Sequence, residues 1–360
     1  MSTQLANVSL DDKYEAQTGR IYLSGVQALV RLPIMQRQRD DAAGLNTAGF
    51  ISGYRGSPLG GYDVNLWRAQ RFLNRNHIRF QPGVNEDLAA TAVWGSQQVN
   101  VFDDAKYDGV TGIWYGKGPG VDRSGDALKH GSLAGSSRYG GVLCLAGDDH
   151  GCKSSTLPHQ SEQAFVHYMM PVLNPATVEE YLELGLLGIA MSRFSGCWVA
   201  FKAISESVET SASISLDPLA QNIIVPEDFV LPPGGLNIRN PDNSVDQERR
   251  HIDVRLPAAQ AFAYVNNIDR IVIQPRDATL GIAAPGKAYL DVREALELMG
   301  LGEAAAAKLG LRIYKIGLSW PLESRRALEF ASGLDEVLVV EEKRGFVEEQ
   351  LKSILFNHEG

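Results

Sequence analysis

The chain has 360 residues, of which 44% are hydrophobic and 21% charged, a size and composition suited to two soluble domains and a connector rather than one domain. Its net charge of −9, with no run of Lys and Arg, excludes the basic face of a general nucleic-acid binder. No uncharged apolar window reaches about 18 residues, the length a membrane span needs; the longest apolar run, Leu182–Met191, is broken by Glu183 and by glycines.

At the N-terminus, Met1–Ser9 lacks the basic-then-apolar pattern of a signal peptide. Ile21–Gly25 reads as a strand leading into a helix over Val26–Gln38, apolar at Val26, Leu29, Val30, Leu32 and Ile34. Thr47–Tyr54 is a short strand entering a glycine-rich turn, and Glu86–Val101 has helical spacing with Leu88, Ala89, Ala92 and Val93 on its apolar positions. Val110–Gly116 and Gly141–Gly147 read as buried strands, the second apolar on both faces as a parallel sheet requires. A helix is expected over Ser124–Ser137, a longer one over Thr177–Phe194, and a strand over Cys197–Ala203. This alternation predicts an α/β parallel sheet occupying residues 1–217.

From about residue 218 the periodicity fades into turn formers such as Leu231-Pro-Pro-Gly-Gly, so 218–270 is expected to be a connector with a helix around Leu256–Asn267. A second α/β unit then occupies 271–360. Its expected strands are Thr279–Gly286, Leu311–Gly317 and Asp335–Glu342; its expected helices are Ala288–Met299, one opened by Pro321 and Leu322 and running to Phe330, and Phe346–Phe356. The apolar stripe of the last helix (Val347, Leu351, Ile354, Leu355) would ordinarily be followed by another strand, so the chain is expected to be a fragment. Cys144, Cys152 and Cys197 form no Cys-x-x-Cys pair, which leaves neither a disulfide framework nor an iron–sulfur ligand set and points to a reduced, cytoplasmic protein.

Four loops could carry chemistry. Gly53-Tyr-Arg-Gly-Ser-Pro-Leu-Gly-Gly61 follows a strand; it is either a tight strand-to-helix turn opened by Ser57-Pro58, or a backbone-lined ligand loop in which Arg55 pairs with an anion. It matches neither the Walker loop nor the dinucleotide fingerprint. Asn85-Glu86-Asp87 heads an apolar helix, where acids ordinarily just complement the helix dipole. Gly116–Arg123 lies between a strand and a helix, a place for an anion-binding concavity with Lys117 or Arg123 as partner. Gly147–Glu162 contains Asp148, Asp149, His150 and His159, which suggest a metal only superficially, because no His-x-x-x-His or Cys-x-x-Cys spacing supports one. Cys152 has no base held by a third group and reads as a bystander thiol.

Taken together, Gly53–Asp63, Val84-Asn-Glu-Asp-Leu-Ala-Ala90, Gly116–Arg123 and Ala146–Glu162 resemble the indolepyruvate ferredoxin oxidoreductase family of 2-oxoacid:acceptor oxidoreductases, along nearly the whole chain. The resemblance implies a pyrimidine-binding domain of thiamine-diphosphate enzymes followed by a transketolase C-terminal-like domain, with Val337–Glu342 as one of its strands. It implies oxidative decarboxylation of an aryl-pyruvate to an acyl-CoA, with Glu86 hydrogen-bonded to the cofactor's aminopyrimidine and Gly53, Tyr54, Gly56, Ser57 and Pro58 around it. Ser57 falls where relatives contact the substrate carboxylate, and Arg55, Lys117, Arg123 and His150 become pocket candidates. Tyr54-Arg55 departs from the Tyr-Pro of many relatives. Coenzyme A, ferredoxin or another electron acceptor, iron–sulfur clusters and a homodimer are implied for the full enzyme. The Gly-Asp-Gly…Asn motif that holds the diphosphate and Mg²⁺ is absent, so a diphosphate-binding domain is expected in cis or in trans. Two alternatives stay open: a branched-chain 2-oxoacid or pyruvate as substrate, and a non-catalytic assembly or regulatory fragment.

Overall fold

The computed structural model describes residues 8–356; most of Met1–Ser9, on which the reading of the leader rests, and the last four residues lie outside them. The largest sheet has seven strands in the order β12-β6-β7-β5-β4-β2-β3. These are β2 (Thr47–Gly53), β3 (Ile78–Phe80), β4 (Gly109–Lys117), β5 (Val142–Asp148), β6 (Val172–Leu173), β7 (Val199–Ile204) and β12 (Leu318–Trp320). Its pairs are parallel except β12 on β6.

The side-chain alternation of a strand explains why β5 is apolar throughout. Leu143 and Leu145 join the core beneath the helices Gly25–Ala42 and Val178–Ser195, whereas Val142, Cys144 and Ala146 face a second core with Trp114 and Trp198. Both long helices start at side-chain caps: Ser24 with Gln27 forms a capping box, and Thr177 accepts from the Glu180 amide.

Β1 (Gly19–Ser24) and β8 (Ser211–Leu216) form an antiparallel ribbon, so the expected first strand pairs outside the main sheet. The connector region holds no strand and, as expected, a helix at Leu256–Val265, which extends back through a π-turn His251–Arg255 to a helix Ser244–Arg250. The following strands are β9 (Arg270–Ile273), β10 (Leu280–Pro285), β11 (Leu311–Ile316) and β13 (Glu336–Val339), in the order β13-β10-β11-β9. Here too alternate residues divide between two cores, Ile282 and Ala284 on one face, Ala283 on the other.

The α/β fold read from the sequence is therefore present, with local differences: the helix expected to open at Pro321 and Leu322 starts at Ser324, capped by Glu323, and the strand expected over Asp335–Glu342 spans Glu336–Val339. The helix expected over Glu86–Val101 ends at Ser96 and continues only as a short 3-10 turn at Val99–Val101. The turn Gly116–Arg123 is already helical from Gly118. Ser57-Pro58 does not cap a helix: the next elements are a 3-10 turn Leu59–Gly61 and the helix Tyr62–Arg68, neither with a side-chain cap.

Candidate active site

The register brings the carboxyl ends of β2, β4 and β5 side by side, Gly53 opposite Tyr115 and Lys117 opposite Gly147. The loops 53–61, 116–118 and 148–161 thus leave the sheet at one edge, where parallel α/β sheets place ligands. They also pack on each other through glycines. A Cβ at Gly56 would meet Lys117 Cδ at 2.7 Å, and one at Gly147 would meet Pro58 Cδ at 3.0 Å.

Glu86 is the first residue of the helix Glu86–Ser96. Its neighbour Asn85 caps that helix by accepting from the Leu88 amide at 2.9 Å, and the Trp114 indole donates to the Glu86 carbonyl at 2.9 Å. Those two contacts fix the first turn between β2 and β4. The residue is buried, 7% exposed, yet among the described residues its carboxylate has neither a hydrogen-bond donor nor an ion-pair partner within the protein. Space for it exists because Gly120 lacks a side chain: a Cβ there would lie 2.7 Å from both Glu86 Cγ and Oε1. An acid on a largely buried residue, walled by glycines and with no protein partner for its carboxylate, is left free for something else to bind.

The other carboxylates of the loops are committed. Asp149 accepts from the amides of Lys153, Ser154 and Ser155 at 2.9, 2.9 and 3.0 Å, and these bonds, the Ser154 amide foremost, hold its carboxyl below the usual range. Asp148 is fully buried and accepts from the Ser161 amide and hydroxyl at 2.9 and 2.6 Å. His159 lies between Asp148 (3.6 Å) and Asp122 (2.9 Å), which together lift its imidazole to about 9, Asp148 contributing most, against the opposing effect of burial. Lys202, buried in β7, contacts Glu162 and lies 3.7 Å from Asp148. Among the described residues no cluster of His, Cys, Asp and Glu is placed to hold a metal ion.

Of the residues singled out from the sequence, the structure groups Glu86, Gly53, Gly56, Ser57, Pro58, Lys117 and His150 on this edge. Ser57 meets Ser154 of the neighbouring loop through their hydroxyls. Tyr54 is partly exposed, its amide bonded to the Tyr115 carbonyl at 3.1 Å. Arg55 is exposed, near Asp63, whose carboxyl is raised by burial and lowered in part by Tyr115 and Arg55. Arg123 is exposed and pairs with exposed Asp87 at 2.7 Å. His150 donates from Nδ1 to the Glu342 carboxylate at 3.1 Å, so it reaches toward the second α/β unit. The Cys152 thiol lies 2.6 Å from the Ser155 carbonyl within its own loop. Sequence reasoning missed the buried pair Lys202–Glu162; the signal was Lys202 itself, a charge inside the otherwise apolar Val199–Ile204.

Residues 270–360 match the indolepyruvate oxidoreductase domain family. The expected family resemblance is borne out. A curated indolepyruvate oxidoreductase subunit IorA from Methanothermobacter marburgensis is 25% identical across 96% of this chain and 51% of its own length. A subunit IorA from Pyrococcus horikoshii is 28% identical across 61% of this chain and 33% of its length. The chain therefore spans about half the length of the first of these indolepyruvate oxidoreductase subunits. Among solved structures, 2-oxoglutarate:ferredoxin oxidoreductase from Magnetococcus marinus, which holds 2-oxoglutarate, coenzyme A and succinyl-CoA, superposes with a TM-score of 0.65 at 15% identity, over 94% of this chain and 60% of that one. At that identity the superposition speaks for the fold alone, an α/β arrangement as expected. No helix among the described residues is long and apolar enough to cross a membrane.

Proposed function

We propose that this chain supplies the pyrimidine-binding face of a thiamine-diphosphate-dependent 2-oxoacid oxidoreductase that acts on an aryl-pyruvate such as indolepyruvate, with Glu86 as its catalytic carboxyl group. The observation that carries the reading is Glu86: buried, without a protein partner, at a helix start on the carboxyl edge of a parallel sheet, against glycines 116 and 120. A flat, hydrogen-bonding heterocycle fits such a cradle better than an ion, because an anion would meet the Glu86 carboxylate and the acids a metal would need, Asp148 and Asp149, are already spent on the loop. The aminopyrimidine is that kind of group.

When bound, thiamine diphosphate supplies the carbon nucleophile and electron sink for decarboxylation of a 2-oxoacid. The rest is the chain's own work. Glu86, whose carboxylate has no partner within the protein, would hold or return a proton at a ring nitrogen of the bound group. Gly53, Gly56 and Pro58 bring the backbone close, while Tyr54 borders the opening. Ser57, with Lys117 beside it, is suited to the substrate carboxylate, and His150 closes the far side of the loop. Arg55 and Arg123 are the weakest pocket candidates, the first exposed and the second engaged by Asp87. No ligand set for the diphosphate and Mg²⁺ stands in this sequence, so they are assigned to a further domain, in cis or in trans. Coenzyme A, a ferredoxin-like acceptor with its iron–sulfur relay, and a homodimeric, cytoplasmic assembly complete the proposal.

Glu86→Gln in the enzyme assembled with its diphosphate-binding domain tests this reading. The carboxamide can still hydrogen-bond but cannot take the proton, so indolepyruvate turnover is expected to fall by 10²-fold or more, within the range of general acid–base contributions, with calorimetric thiamine-diphosphate affinity falling much less. Wild-type turnover in the Gln variant would remove the catalytic role. Comparing kcat/KM for indolepyruvate, phenylpyruvate, pyruvate and branched 2-oxoacids decides the substrate.

A further inference from the structure

Beneath the loop 148–161, where the first sheet meets the second α/β unit, lies a small cavity of about 20 Å³. His150, Glu162, Lys202, Asn174, Lys287 and Glu342 are among its walls. Two of the buried polar atoms on those residues lack a partner, His150 Nε2 and Glu162 Oε2, and Glu162 is only 5% exposed. The other nitrogen of His150 meets Glu342 at 3.1 Å, and Nε2 stands 4.0 Å from Asp148, too far for a direct bond. The volume accommodates about one water molecule. Its walls mix Lys202 and Lys287 with Glu162 and Glu342, so neither an anion nor a cation is favoured there. A neutral water suits both unpartnered atoms: with Nδ1 donating to Glu342, Nε2 of the neutral imidazole accepts, so the water can donate one hydrogen to it and the other to Glu162 Oε2.

Two more contacts tie the same loop to the residues just after β13. Lys343 Nζ donates to the His150 carbonyl at 2.8 Å, and the Arg344 amide to Gln160 Oε1 at 3.3 Å. Both ends of the loop are therefore held from the second unit, while its middle, Ser154, touches Ser57.

We propose that Glu342 is a positioning residue: through His150 and one buried water bonded to Glu162, it latches the loop 148–161 to the second α/β unit and thereby sets the place of Ser57. The consequence at Ser57 rests on the function proposed above; the latch itself does not. Hydrogen–deuterium exchange of the Lys153, Ser154 and Ser155 amides in this chain reads the latch without cofactor or turnover. Glu342→Ala is expected to speed exchange of these amides about tenfold, the loss of one charge-assisted hydrogen bond acting on local opening. Glu342→Gln, which keeps an acceptor for Nδ1, is expected to stay within about threefold of wild type, a rescue that general loss of stability would not produce. His150→Ala is expected to match Glu342→Ala, and the double variant to add nothing, as for two members of one network. Unchanged exchange in Glu342→Ala, equal effects of Ala and Gln, or multiplying effects in the double variant would each overturn the latch. Should Glu342→Ala not fold, Glu342→Gln together with Lys343→Ala, expected to speed exchange about threefold by removing the second tether, carries the same decision. A crystal structure with no water between His150 Nε2 and Glu162 Oε2 would overturn the relay. If thiamine diphosphate fails to bind while the exchange pattern holds, the proposed function falls and the latch stands.

Discussion

At the scale of single residues, the site depends on an absent side chain as much as on a present one. In the short helix Gly118–Arg123, alanine would be the better helix former at position 120 by roughly 1 kcal/mol. Its methyl group, however, would lie 2.7 Å from Glu86 Cγ and Oε1, so the acid would have to move. Gly120→Ala is therefore expected to destabilise the chain by about 1 kcal/mol, whereas in a Glu86→Ala background the same change should stabilise it by about 1 kcal/mol. Urea denaturation of the four proteins measures the swing; an equal effect in both backgrounds would mean that the two residues do not touch. Glu86 could be picked out of the sequence only through the family motif, because an acid in a first turn is an ordinary partner for the helix dipole. That its own partner is missing is visible only in three dimensions. Ser57 illustrates the opposite case: Ser-Pro reads locally as a cap, but tertiary contact with Ser154 claims the hydroxyl. Arg123 likewise read as an anion partner for the turn, and a neighbour on an adjacent helix, Asp87, holds it instead.

At the scale of elements, the strands buried on both faces were legible because their sequences are apolar but for Asp148 and Lys202: Val142–Asp148 and Val199–Ile204 are buried at every position. Other strands were mostly not, excepting Gly19–Ser24 and Glu336–Val339, which the sequence shows as Ile21–Gly25 and Asp335–Glu342. Ser211–Leu216 reads as a polar stretch, since half its side chains face outward, and it exists as a strand because Gly19–Ser24, far away in sequence, offers the ladder. Ile78–Phe80 and Leu318–Trp320, three residues each, are too short to show a period. The connector carried a different surprise, its attachment. Arg255, fully buried, donates to the carbonyls of Leu133, Ala134 and Leu236 at 2.7, 3.1 and 2.8 Å, satisfying the end of the helix Gly125–Ala134. Gly135 leaves the room, as a Cβ there would come within 2.4 Å of Arg255 Nη2. Burial lowers the guanidinium to about 10, so it stays charged at neutral pH. Arg255→Met should cost about 3–5 kcal/mol, because it strands several buried carbonyls at once. Arg255→Lys should recover little, a point charge being unable to span the fork. Both are read as shifts in the midpoint of chemical denaturation; a loss below about 1 kcal/mol for Met would show that those carbonyls find other donors.

At the scale of the whole molecule, the two α/β units are not separated along the chain as the sequence suggested, since β12 from the later segment pairs with β6 of the large sheet. That strand and the Glu342–His150 contact make the junction polar and ionisable, and its pH response follows. Asp148, His159, Asp122, Lys202 and Glu162 form one charged group at the carboxyl edge of β5. Burial by itself would raise Asp148; His159, Lys202 and Ser161 outweigh it and hold the carboxyl well below the usual range. Its contribution is therefore present above the ordinary carboxylate value and is lost as the pH falls below it. For His159, the imidazole is raised from 6.5 to about 9, so its contribution is complete below 6.5 and is lost as the pH rises through 9. Stability of the wild-type chain should accordingly fall on the alkaline side over that interval by on the order of 1–2 kcal/mol, partial solvent exposure of the ring reducing what the full shift would give. His159→Gln should abolish that alkaline slope while leaving the acid limb, set by Asp148, in place. Urea midpoints collected from pH 5 to pH 10, with the unfolded value near 6.5 as the start of the decline, measure both. An undiminished alkaline slope in the Gln variant would assign the loss to groups other than His159 and would detach His159 from the network that carries the loop.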